Sequence, residues 1–101
     1  MDDTQTKIKE VIEKNPVVIF MKGTPEEPQC GFSSQAVKCL KSAGASVVGV
    51  NVLADPAIRQ GIKAFTNWPT IPQIFIKGKF IGGSDIVSEM FESGELKELL
   101  R

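Results

Sequence analysis

Pro28-Gln29-Cys30-Gly31-Phe32-Ser33-Ser34-Gln35 carries one cysteine where many redox motifs carry two. A proline-marked loop precedes Cys30 and a helical pattern follows it, which puts the thiol at a helix N-terminus. The unpaired backbone N–H groups and the helix dipole stabilise an anion there, so the thiolate should form below the free value of about 8.5. Lys22, at the end of the preceding apolar run, adds a positive charge if the loop folds back. Ser33 takes the place of a second cysteine, and its hydroxyl, not ionised near neutral pH, cannot attack a disulfide. A mixed disulfide on Cys30 must therefore wait for a thiol from outside the chain. Ser33 itself is expected to hydrogen bond locally in the first helical turn.

The second cysteine, Cys39, lies further along the same helical pattern, about 13 Å away at ~1.5 Å of rise per residue, too far to bridge to Cys30 within an intact helix. The bland reading of a small buried thiol suits it. The chain contains no histidine, so neither a Cys–His catalytic pair nor a self-contained metal site can be built. One cysteine cannot fill the four thiolate positions of an iron-sulfur cluster, but two chains with two small thiols can.

These residues need a scaffold, and the apolar spacing supplies one. Thr4 to Lys14 reads as a helix stopped by Asn15-Pro16, and Val17-Val18-Ile19-Phe20-Met21 as a buried strand. After the Gly23, Pro25 and Pro28 loop, Phe32 to Ala43 is helical and closed by Gly44. Ser46 to Val52 reads as a second strand, parallel to the first because a helix intervenes. Asp55-Pro56 caps a helix through Phe65, with Ile58, Ile62 and Phe65 turned inward. Gln73 to Lys77 and Lys79 to Ile81 form an antiparallel hairpin about Gly78. A last helical region follows Gly82-Gly83, is broken near Ser93-Gly94 and ends with Leu96, Leu99 and Leu100. The order predicts an α/β protein of thioredoxin-like arrangement, a four-stranded mixed sheet with helices on both faces.

The 101 residues suit one domain, 1–101, and 42% hydrophobic composition supports one modest core. Twelve basic and twelve acidic side chains cancel, which gives no electrostatic case for nucleic acid or an anionic membrane as the main partner. No apolar run approaches the roughly 20 residues of a membrane span, and Met1-Asp2-Asp3-Thr4 lacks a secretory start. A soluble, intracellular chain is expected.

Four motifs in register, Met21-Lys22-Gly23-Thr24-Pro25, Cys30-Gly31-Phe32-Ser33, Trp68-Pro69-Thr70-Ile71-Pro72 and Gly82-Gly83 before Asp85, resemble the monothiol glutaredoxins of the CGFS class over nearly the whole chain. The resemblance implies the thioredoxin-like fold and a cis bond between Ile71 and Pro72. It also implies glutathione contacts at named positions. Lys22 would stand beside the thiol and one carboxylate, Arg59 and Lys63 would meet the glycine carboxylate, and the Ile71 backbone would pair with the cysteinyl part. Ser84 and Asp85, opening a helix, would receive the γ-glutamyl end. Without the resemblance, Arg59 and Lys63 would read as one solvated helix face.

Ser84 departs from the family, which usually has cysteine there. A serine is expected to cap the helix and leave glutathione binding intact, while any auxiliary thiol chemistry of that position is lost. Thr24-Pro25-Glu26-Glu27-Pro28-Gln29 matches the insertion that distinguishes the class from dithiol relatives. The resemblance thus implies a homodimer holding a [2Fe-2S] cluster through Cys30 of each chain and two glutathione thiolates, for transfer to iron-sulfur recipient proteins. The alternative is a glutathione-dependent thiol oxidoreductase working through Cys30 alone. A third implied role is pairing with a BolA-like protein over the Cys30 surface. The likeness of Asn51-Val52-Leu53-Ala54-Asp55-Pro56 and Ile58-Arg59-Gln60-Gly61-Ile62-Lys63 to mitochondrial members implies the mitochondrial matrix, after removal of a targeting segment, with the cytoplasm as the alternative.

Overall fold

The structure, a computed structural model, describes residues 3–101. The Met1-Asp2 start of the expected domain and of the expected leaderless terminus lies outside the described residues. The elements follow in the order α1 (Asp3–Lys14), β1 (Val17–Met21), α2 (Gly31–Ser42), β2 (Val48–Asn51), α3 (Pro56–Thr66), β3 (Gln73–Ile76), β4 (Lys79–Gly82), α4 (Ser84–Ser93) and α5 (Glu95–Leu99).

One four-stranded sheet runs β2-β1-β3-β4. β1 pairs parallel with β2 and antiparallel with β3, and β3 pairs antiparallel with β4. Every residue of β1 is buried, as its unbroken apolar run requires of a central strand with both faces covered. Alternation along the strand feeds two cores. Val17, Ile19 and Met21 join Ala36, Val37, Leu40, Val87 and Leu96 on the α2/α4/α5 side. Val18 and Phe20 join Ile8, Ile12, Ile58, Ile62 and Phe75 on the α1/α3 side.

Local chemistry sets the joints. Asp55 caps α3 by accepting from the N–H groups of Ala57 at 3.0 Å and Ile58 at 3.3 Å, with Pro56 at the first helical position. Asn67 ends the same helix in the left-handed conformation. Lys77 and Gly78, with φ of 53° and 83°, form the two-residue hairpin turn whose twist matches the strands. Lys77 is thus a turn residue rather than the end of β3.

Two expectations shift. β2 is shorter than Ser46 to Val52, and Val48 is 37% exposed, because an edge strand has a partner on one side only. Phe65, expected inward, is 40% exposed and touches Phe75 edge-on at 6.2 Å between ring centroids. Ile58, Gly61 and Ile62 are the buried residues of α3.

Candidate functional site

Cys30 occupies the N-cap of α2 in extended conformation, with φ −150° and ψ 137° and no side-chain cap bond. The thiol is partly exposed and free, whereas Cys39 is buried and free. Hydrogen bonding by the Ser33 N–H lowers the Cys30 pKa, partial burial opposes it, and the Phe32 N–H, the Lys22 charge and the Ser33 hydroxyl lower it further, for a net fall. The helix N-terminus therefore acts as the sequence suggests, chiefly through two N–H groups aimed at the sulfur.

Ser33 does more than bond locally. It is fully buried, and its Oγ accepts the Lys22 N–H at 3.2 Å, tying the first turn of α2 to the end of β1. Lys22 also accepts the Gln29 N–H at 2.8 Å, so both ends of the loop before Cys30 meet at this residue. Within the loop, Thr24 and Glu27 exchange backbone bonds at 3.2 and 3.1 Å. Gly23, at φ +91°, has no room for a Cβ, which would lie 2.5 Å from the Glu27 carbonyl. The loop also folds onto the edge strand, where Asn51 Oδ1 accepts the Gly23 N–H at 3.0 Å.

A cleft of about 600 Å³ lies beside this turn, lined by Lys22 and Phe32, by Arg59 and Lys63 of α3, by Trp68 to Pro72, and by Gly83 to Ile86. All six residues expected to contact a ligand, Lys22, Arg59, Lys63, Ile71, Ser84 and Asp85, come together there. Cys30 is not part of the lining and stands at the rim, two residues before Phe32. Three cations against the single carboxylate of Asp85 give the cleft a positive balance that the neutral chain conceals. The Arg59 Nε is buried with no hydrogen-bond partner among the described residues, a donor left for an anion.

The Ile71–Pro72 bond is cis, as expected. Ser84 differs from expectation. Gly83 holds the cap of α4 without any side-chain bond, and Ser84 is the first helical residue, 7% exposed. The start of α4 thus keeps no capping side chain, and Gly83 to Ile86 line the cleft, an arrangement that suits a carboxylate. A Cβ at 83 would be a tight fit, 3.3 Å from the Pro72 carbonyl, and in ordinary contact at 3.8 Å with the Trp68 indole nitrogen.

Residue-type reasoning did not single out Phe32, Thr70 or Ile86 as cleft walls. Phe32 is 65% exposed and Ile86 36%, so each is an apolar side chain left at a polar mouth, a signal visible only in three dimensions. Trp68 serves twice, stacking edge-on against Phe80 at 5.7 Å and walling the cleft. Among the described residues no three His, Cys, Asp or Glu side chains gather as a metal site, and no helix is long and apolar enough to cross a membrane.

The glutaredoxin sequence profile matches residues 17–81, from the start of β1 into β4. A monothiol glutaredoxin of Synechocystis is 49% identical over 98 residues, covering 97% of this chain and 92% of that protein. The chain belongs to the monothiol glutaredoxin family. The mitochondrial glutaredoxin-related protein 5 of Danio rerio is 50% identical over 98 residues, with 96% of this chain and 63% of that protein covered, so the chain spans under two thirds of that relative. The solution structure of reduced apo GrxS14 from poplar superposes with a TM-score of 0.83 at 48% identity, covering 93% and 86% of the two chains. The buckwheat glutaredoxin-glutathione complex superposes at 0.85 with 30% identity over 96% of this chain and 86% of that one. Cys30, partly exposed at the start of α2, has a thiol whose pKa its surroundings lower.

Alkylation by iodoacetamide should therefore reach half its plateau rate, for Cys30, at a pH below the free-thiol value of about 8.5. The sign follows from the fold favouring the thiolate. Ser33→Ala, which removes the hydroxyl bond, should move that midpoint upward. A midpoint at or above the free value would contradict the N–H geometry.

Proposed function

We propose that this monothiol glutaredoxin binds glutathione in the cleft and, as a homodimer, carries a [2Fe-2S] cluster that it hands to iron-sulfur recipient proteins. The observation that carries the reading is one partly exposed, low-pKa thiol at the rim of a cationic cleft whose Arg59 Nε is buried and unpaired. Arg59 and Lys63 would take the glycine carboxylate, the Ile71 backbone would pair with the cysteinyl part, and the α4 N-terminus with Asp85 would take the γ-glutamyl carboxylate and ammonium. Lys22 would hold the Cys30 thiolate and a ligand carboxylate together. This seats a second thiolate beside Cys30, and two such pairs make the four ligands a cluster requires. Half of them are not bonded to the protein, which keeps the cluster transferable.

The glutathione complex of the buckwheat relative supports the ligand, and the mitochondrial names of several relatives support the matrix as the compartment. The same thiol surface would also serve a heterodimer with a BolA-like protein. A second reading, glutathione-dependent deglutathionylation through Cys30 alone, is favoured by the lowered thiol pKa. Ser33, buried and without a thiol, leaves that cycle dependent on a second glutathione.

Anaerobic reconstitution with iron, sulfide and glutathione, followed by visible absorption and size analysis, separates the two. A coloured dimer is expected. A colourless monomer with steady deglutathionylation at rates of dithiol relatives would move the assignment to the oxidoreductase.

A further inference from the structure

Gln73 opens β3 opposite Phe20 of β1 and is fully buried. A primary amide in that position is costly unless each of its polar atoms is paired. Its Nε2 donates to the carbonyls of Trp68 at 3.0 Å and Thr70 at 3.2 Å. Those two acceptors fix which end of the amide is nitrogen, so Oε1 must face the other way. There it lies 2.8 Å from the Thr66 Oγ1. An oxygen with no proton can only accept, so in this contact the Thr66 hydroxyl donates to Gln73, with the Ile62 carbonyl at 3.1 Å as a longer, competing acceptor of its one proton. The same hydroxyl receives the Trp68 N–H at 3.2 Å.

The two sides joined by this amide are the two walls of the cleft. Thr66 is the last residue of α3, the helix that carries Arg59 and Lys63. Trp68 and Thr70 belong to the stretch that leads to the Ile71 backbone. Gln73 itself does not line the cleft. It sits in the sheet beneath, where pairing with the central strand holds it in place.

We propose that Gln73 is a positioning residue whose amide sets the α3 cationic wall and the Trp68–Ile71 backbone wall in register for one ligand that spans both. The proposal rests on the glutathione reading above, since glutathione presents a glycine carboxylate to one wall and a cysteinyl backbone to the other. Gln73→Met keeps the length and volume of the side chain but leaves both carbonyls without the amide and the Thr66 hydroxyl with the Ile62 carbonyl as its acceptor. Thr66→Val leaves the carbonyls paired with Gln73 but removes the hydroxyl, and with it both the link to α3 and the acceptor of the Trp68 N–H.

The experiment is a titration of the full chain with reduced glutathione, followed by backbone NMR. It covers wild type, Gln73→Met, Thr66→Val and Arg59→Ala, together with Gln73→Met combined with Arg59→Ala. Gln73→Met should weaken binding about tenfold while the β1 amide shifts stay in place, and Thr66→Val should weaken it several-fold. Arg59→Ala should cost several-fold less affinity in the Gln73→Met background than in wild type, because a wall out of register loses little when its charge is removed. A purely structural role would leave the Arg59→Ala cost equal in the two backgrounds and overturns the proposal. Affinity of Gln73→Met within twofold of wild type overturns it as well. If Gln73→Met does not fold, the cost of Arg59→Ala is measured in the Thr66→Val background instead, where a reduced cost supports the proposal and an equal cost, or an unchanged affinity of Thr66→Val itself, overturns it. Absence of binding by wild type would overturn the glutathione reading, and the positioning role with it, whereas a binding wild type with indifferent variants overturns the positioning role alone.

Discussion

Cys30→Ser should leave the protein colourless after anaerobic reconstitution with iron, sulfide and glutathione, while Cys39→Ser should develop the full visible spectrum. The difference follows from where the two sulfurs stand. Cys30 is at the rim of the cationic cleft, with the Ser33 and Phe32 N–H groups favouring its thiolate. Cys39 is 4% exposed within the α2/α4 core, near the Gln35 amide at 3.7 Å and the Ser88 hydroxyl at 3.8 Å. A serine at position 30 fits the same space but offers no thiolate, so the predicted loss is complete rather than partial. Loss of colour in both variants would contradict the assignment of Cys39 to packing.

Phe20→Ala should destabilise the chain by about 3–5 kcal/mol, a large part of the roughly 5–15 kcal/mol that holds a domain folded. Phe20 is fully buried in β1 and meets Phe75 edge-on at 5.7 Å, so truncation removes apolar burial and opens a cavity in the α1/α3 core. Phe32→Ala, at a ring 65% exposed, should stay within about 0.5 kcal/mol. Urea denaturation checks the pair through the midpoint at constant slope. Equal shifts would contradict the division between a packed core and an apolar rim at the cleft.

The scaffold was legible in the sequence wherever a single periodicity acted alone. The five apolar residues of β1, the Asp55-Pro56 start of α3 and the tight turn at Gly78 each carry their own signal, and the structure shows all three. The cleft was legible through family likeness, since Lys22, Arg59, Lys63, Ile71, Ser84 and Asp85 lie far apart along the chain and nothing local to any of them announces the others. What sequence did not show depends on tertiary contacts. Ser33 reads as a local hydrogen-bonder, yet it reaches the Lys22 N–H at 3.2 Å. Gln73 reads as one polar residue in a strand, and its pairing with Trp68, Thr70 and Thr66 is set by the path of the chain from the end of α3 into β3. Phe65 fits the inward stripe of α3 by spacing, but the helix ends at Thr66 and its last turn passes beyond the core. Serine at 84 suggests a cap, but the cap of α4 falls one residue earlier, at Gly83, beside the Pro72 carbonyl.

The missing second cysteine of the Cys30 motif makes the chain dependent on a borrowed thiol, and Ser84 removes one more internal candidate. That dependence is the central claim, and the thiol content of the isolated coloured dimer tests it most directly. After reconstitution and removal of free small molecules, acid release and thiol analysis should recover one glutathione per protomer, and omission of glutathione should prevent the colour from forming. A coloured dimer that forms without glutathione and retains none would contradict the account.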